Sequence, residues 1–179
     1  MNEPAGVVIF SGVDPAIPAE LAAHGIEAVE LTGVSAEQSR DAELVTQRLI
    51  EDAREIARRT SAPIAFLTAG AAGAGALIAA VQRPDLVAAV LAINARTDRA
   101  YDYLRELRTP TFLLVNDLPV LRMNREALAM LRCERRIEVV HGNAPEAGRI
   151  MVEKAVRWVR ERLAVLPRKT SPWSLVLSP

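Results

Sequence analysis

Six short apolar runs are spaced along this chain, and a segment with helical periodicity separates each pair that has room for one. The runs are Val7–Phe10, Ala28–Leu31, Ile64–Thr68, Ala88–Ile93, Thr111–Asn116 and Ile137–His141. Most are continuously apolar instead of alternating, the pattern of strands covered on both faces. The clearest intervening helix is DAELVTQRLIEDAREIARR. There Ala42, Val45, Leu49, Ala53 and Ile56 recur at spacings of three and four, with charged residues opposite. Strands alternating with helices imply a parallel sheet joined by right-handed crossovers, an α/β chain with helices on both faces.

Local signals mark several boundaries. Gly25 after PAELAAH suits the left-handed residue that ends a helix, with His24 in the last turn, where a cation meets the helix dipole favourably. Ser35 and Gln38 have the spacing of a capping box ahead of the long helix. LRMNREALAMLR and PEAGRIMVEKAVRWVRERL form the last two helices. One domain over residues 1–166 is expected, followed by a Pro/Ser-rich tail, 167–179, in which Trp173, Leu175 and Leu177 alternate with other residues. That alternation suits an extended segment seating apolar anchors on a neighbouring subunit or another protein.

Composition narrows the function. Lys+Arg and Asp+Glu are 22 each, so no basic surplus exists to hold nucleic acid, and weak charge repulsion leaves homo-oligomers open. No segment reaches the length of a membrane span, the N-terminus lacks a signal-peptide pattern, and one cysteine, Cys133, suits a cytoplasmic protein. Cys133 reads as an ordinary, partly buried thiol. Two histidines and one cysteine are too sparse for a metal site, and no cofactor is expected.

The stretch Thr68-Ala-Gly-Ala-Ala-Gly-Ala-Gly75 carries the functional question. An apolar strand enters this turn of small residues and an alanine-rich helix leaves it. It suits a tight corner, or a pocket for a neutral ligand. It also suits a phosphate or nucleotide loop at Gly70–Gly75, although its G-x-x-G-x-G spacing is not G-x-G-x-x-G.

The order of VVIFSG, DAELVTQRL, PIAFLTAGAAGAGALIAAVQRPDLVAAVLAI, TPTFLLVNDLPVLRMNREALAML and RIEVVHGNAPEAG resembles the dienelactone-hydrolase-like branch of the α/β-hydrolases. The most specific parts are Arg83-Pro84-Asp85, Thr109-Pro110-Thr111 and Asn124-Arg125-Glu126-Ala127-Leu128, and the likeness spans Gly6 to Leu163. It implies a three-layer doubly wound sheet of about six strands, in the order 2-1-3-4-5-6. A ligand crevice should open at the carboxyl ends of strands 1 and 3, where the order reverses.

The same resemblance assigns the catalytic positions. A nucleophile belongs at the apex of the strand-to-helix elbow, an acid after a later strand, and a histidine in the loop after the last strand. These positions fall on Gly70, on Asp117 (Asn116 with a slip of register) and on Pro145. Neither glycine nor proline can do the chemistry. The family's His-Gly start of the oxyanion loop is Ser11-Gly12. The reading carried forward is a catalytically degenerate protein that binds or assembles. Its crevice is lined by Ser11, Gly12, Ala69, Gly70, Ala71, Asn94 and Asp117, with room for a small-molecule ligand. The alternative is a working ester or lactone hydrolase that recruits Ser11 or Thr68 as nucleophile, His141 as base and Asp117 as orienter.

Overall fold

The computed structural model describes residues 3–165 and turns the six apolar runs into strands. They are β1 (Gly6–Ser11), β2 (Ile26–Glu30), β3 (Ile64–Ala69), β4 (Ala89–Ile93), β5 (Thr111–Val115) and β6 (Arg135–Val139). All pairs are parallel, and the order is β2-β1-β3-β4-β5-β6, as the resemblance implies. The helices are α1 (Ala16–Ala23), α2 (Ala42–Arg59), α3 (Ala72–Gln82), α4 (Leu118–Met130) and α5 (Ala144–Ala164). The tail with Trp173, Leu175 and Leu177 lies outside the described residues.

Each strand divides its side chains between two cores with period two. Val7, Ile9, Phe66, Val90 and Leu113 face a core shared with α2, α3 and α4. Val8, Leu67, Leu91, Phe112 and Leu114 face a second core built on α1 and α5, with Trp158 against Phe112 at 5.5 Å between ring centres. Burial on both faces explains why the inner strands read as unbroken apolar runs. The edge strands do not: β2 and β6 each begin two residues before the apolar run. Glu27 on β2 pairs with Arg59, and Arg136 on β6 stacks over Phe112 at 5.3 Å, so the charged residues belong to the strands. Charges on outer edges also discourage pairing with another sheet.

The helix starts obey local chemistry. Ser35 and Gln38 do form the reciprocal pair, each side chain accepting from the other's backbone N–H at 3.2 and 3.0 Å, but it opens a one-turn 3₁₀ helix at Gln38–Arg40. Asp41 then caps α2 by accepting from the N–H groups of Glu43 and Leu44. Gly25 holds φ +73° just past α1, as expected of a helix-ending residue. Helix α4 begins at Leu118, three residues before the apolar pattern, because Pro119 fits a first helical turn whose N–H groups have no partner.

Two glycines decide how closely the layers pack. A Cβ on Gly75 would lie 2.5 Å from Val45 Cγ1 and 3.1 Å from the carbonyl oxygen of Ala42, both on α2. A Cβ on Gly73 would overlap Ala95 and come within 3.2 Å of its Cα. At the Gly75 contact the Thr46 hydroxyl donates to the Gly75 carbonyl at 3.1 Å. Gly73→Ala and Gly75→Ala are each expected to destabilise the fold by about 1–3 kcal/mol, since the obstructing atoms include backbone. Urea denaturation measures this directly.

A small ion network closes the β6 side. Arg136 and Lys154 both contact Glu138, Lys154 at 2.6 Å. Partial burial pushes the Glu138 carboxyl up, but hydrogen bonds and charge from Lys154 and Arg136 outweigh it and leave its pKa below the ordinary value. A depressed folded-state pKa gives stability that is present above the unfolded value and lost as pH falls through the folded one. Glu138→Gln should therefore lower Tm at pH 7, and the difference from wild type should shrink as pH falls below the ordinary carboxylate range.

Candidate active site at the carboxyl edge of the sheet

The turn after β3 is a tight strand-to-helix corner. Gly70 sits between the last residue of β3 and the start of α3 with φ +61°, a left-handed conformation that costs other residues about 1–2 kcal/mol. No heavy atom among the described residues lies within 4 Å of the point where its Cβ would be, so a side chain there would stand in open space. The backbone is held from three sides. Gly70 N–H donates to the Ile93 carbonyl at 2.9 Å, and its own carbonyl accepts from Arg96 N–H at 3.0 Å and Gly73 N–H at 3.3 Å. The N–H of Ala71, next after the apex, has no acceptor among the described residues.

The neighbouring strand ends complete the edge. Register sets Ser11 opposite Thr68, and Gly12 (φ +67°) lies against Ala69, its Cβ position 3.6 Å from the Ala69 carbonyl oxygen. Asn94 follows β4 and is the one described non-glycine residue with positive φ, +47°. Its side-chain oxygen accepts from the N–H groups of Asn116 and Asp117 at 2.9 and 3.1 Å, and its Nδ2 donates to Asn116 Oδ1 at 2.6 Å. Asn94 thus ties the end of β4 to the segment that opens α4. Behind it, fully buried Asn124 donates to the carbonyls of Ala95 and Val120, both at 2.8 Å. Tyr101 bonds Met123 and Glu126; burial first, then Glu126, push its phenol up to about 12.

The catalytic candidates separate at this point. Ser11, Gly12, Ala69, Gly70, Ala71 and Asn94 all come to this edge. Asp117 is exposed at the head of α4, and its side chain makes no cap hydrogen bond. Thr68 is fully buried, on the same side of β3 as Phe66, and its hydroxyl has no hydrogen-bond partner, so it is no nucleophile for a substrate. His141, expected at the strand end, lies two residues past β6, exposed and making no hydrogen bond among the described residues. Pro145 is in the first turn of α5, capped by Asn143 accepting from Glu146 N–H at 3.2 Å. This position is therefore part of a helix start and not of a loop. A phosphate loop at Gly70–Gly75 fares poorly as well: Gly73 and Gly75 are buried, their missing side chains making room for Ala95 and Val45.

Cys133 is free and half-buried, its thiol pushed up by burial, in keeping with an unreactive role. No group of three His, Cys, Asp or Glu side chains able to hold a metal occurs among the described residues. No helix among them is long and apolar enough to cross a membrane.

The fold recurs in solved structures. A dienelactone hydrolase from Anabaena variabilis superposes with a TM-score of 0.77 at 24% identity, over 90% of this chain and 88% of that one. The chain has the α/β-hydrolase fold. A monoacylglycerol lipase from Paleococcus ferrophilus (TM-score 0.69, 12% identity, 90% and 97% covered) shares it. So does a CIB-like hydrolase from Thermoplasma acidophilum (TM-score 0.63, 14% identity, 90% and 89% covered). No family model and no curated protein matches the sequence.

Within this α/β-hydrolase fold, Asn94 was expected beside the crevice, but no pattern announces its left-handed backbone or its tie to Asn116 and Asp117. Asn94→Ala removes the acceptor of two N–H groups and leaves an alanine at positive φ. It should cost about 2 kcal/mol in chemical denaturation, while Asn94→Asp, which keeps an oxygen for both donors, should cost less than half as much.

Proposed function

We propose that this chain is a catalytically degenerate member of the α/β-hydrolase fold that holds a small molecule at the carboxyl edge of the sheet and acts as a binding or assembly subunit. The observation that carries this reading is Gly70: the elbow keeps its left-handed apex and the open space above it, and has no reacting atom there. Pro145 in the first turn of α5 removes the base at the same time. Loss of a nucleophile or base alone costs on the order of 10⁶ in kcat in enzymes of this chemistry. What remains is the switch point between β1 and β3, where folds of this order bind their ligands, and the Ala71 N–H, able to donate to a carbonyl or carboxylate oxygen.

Two measurements test this. Wild-type protein should neither turn over p-nitrophenyl acetate above the buffer rate nor take up a fluorophosphonate label. Turnover that disappears in Ser11→Ala would sink the proposal. Short-chain lactones and their hydroxy acids, screened by thermal shift, should raise Tm, because a ligand that binds only the folded state stabilises it. Gly70→Phe, whose ring would fill the open space above the apex, should abolish that shift.

A further inference from the structure

Strand β6 is an outer edge of the sheet, and its pairing with β5 fixes which of its main-chain groups face outward. Thr111 N–H donates to the Glu134 carbonyl at 2.9 Å, and Val140 N–H donates to the Val115 carbonyl at 2.7 Å. In a parallel ladder of this register the even-numbered residues of β6 turn their N–H and C=O groups to β5. Arg135, Ile137 and Val139 turn theirs outward. None of those six groups has a partner among the described residues. Such a row is a template for another strand.

The side chains decide which strand it fits. Arg136 and Glu138 share the α5 face of β6: Arg136 stacks over Phe112 at 5.3 Å, and Glu138 contacts Lys154 of α5 at 2.6 Å. Ile137, between them, lies half-buried against the core on the other face. Charges on an edge repel an arbitrary strand, but their order decides whether they repel a copy of themselves. Two copies of β6 running antiparallel about a two-fold axis can centre on residue 136, 137 or 138 and still hydrogen-bond through their outward groups. Centring on Arg136 sets arginine against arginine, and centring on Glu138 sets glutamate against glutamate. Centring on Ile137 sets Arg136 of each copy opposite Glu138 of the other. In that register Ile137 forms a hydrogen-bonded pair. The 136–138 pairs are then the non-hydrogen-bonded ones, whose Cα atoms come closest, at about 4.5 Å. The other outer edge lacks this property: β2 carries only the carboxylates Glu27 and Glu30, so no register sets unlike charges opposite.

We propose that β6 is a dimer interface, at which two copies of this chain pair antiparallel across Ile137 and join their six-stranded sheets into one. Main-chain hydrogen bonds form at Ile137 and between Arg135 and Val139, and two Arg136–Glu138 pairs flank the axis. With Lys+Arg and Asp+Glu equal at 22 each, no net charge opposes the association. The pairing is independent of ligand binding at the other end of the argument's chemistry: Gly70 and Ala71 follow β3, two strands away from β6. Loss of the dimer and failure to bind a small molecule are therefore separate results.

Sedimentation of the full chain tests the proposal. At about 100 µM, above the micromolar Kd of a modest interface, wild type should run near twice its 19.4 kDa. Arg136→Glu and Glu138→Arg should each weaken the dimer at least tenfold, because each sets like charges opposite. Mixed one to one, the two variants should pair at least tenfold more tightly than either does with itself, since every 136–138 pair is then unlike again. Mixing repairs neither a folding defect nor a lost contact within one chain. Ile137→Pro removes an outward N–H and leaves the ladder to β5 whole. It should abolish the dimer with the circular dichroism spectrum unchanged. A monomeric wild type would overturn the proposal. So would a dimer that withstands Ile137→Pro, or a mixture that pairs no better than its components.

Discussion

Helix α3 can lie where it does only because it presents hydrogen atoms instead of methyl groups to its neighbours. Gly75 admits Val45 of α2, and Gly73 admits Ala95 beyond β4. These two contacts fix α3 against both the helical layer and the sheet. They thereby fix the height at which the turn before it leaves β3. Gly70 is then held by Ile93 and Arg96 in a left-handed conformation that the chain could not reach cheaply with another residue. The small-residue stretch performs two separable tasks: its second and third glycines are packing devices, and its first is a backbone device. Only the first of these glycines shapes the carboxyl edge of the sheet.

That separation explains which parts of the molecule were legible in the sequence. The inner strands were, because burial on both faces leaves a nearly continuous apolar run in β1, β3, β4 and β5. The edge strands were displaced by two residues, since half-exposed positions such as Glu27 and Arg136 carry charge and look like loop. The Ser35–Gln38 pair was legible because both partners lie three residues apart. Asn94 was not: its partners, Asn116 and Asp117, are more than twenty residues away. The elbow itself could be located by counting back from Arg83-Pro84-Asp85. The fate of His141 could not, since an exposed residue just past a strand end leaves no periodic trace.

Glycine at the apex of the turn after β3 is unstrained where a residue with a side chain would be strained. In a catalytic turn the reacting residue bears the left-handed penalty, which the surrounding hydrogen bonds must outweigh. Glycine at position 70 removes the penalty while Ile93, Arg96 and Gly73 still bond to it. The rest of the edge follows suit. The Asn-Ala-Pro-Glu start of α5 forms a capped first turn, with Asn143 and Pro145 in the positions that helix starts favour. Each of these residues favours local stability, within a sheet whose order and two cores match the fold.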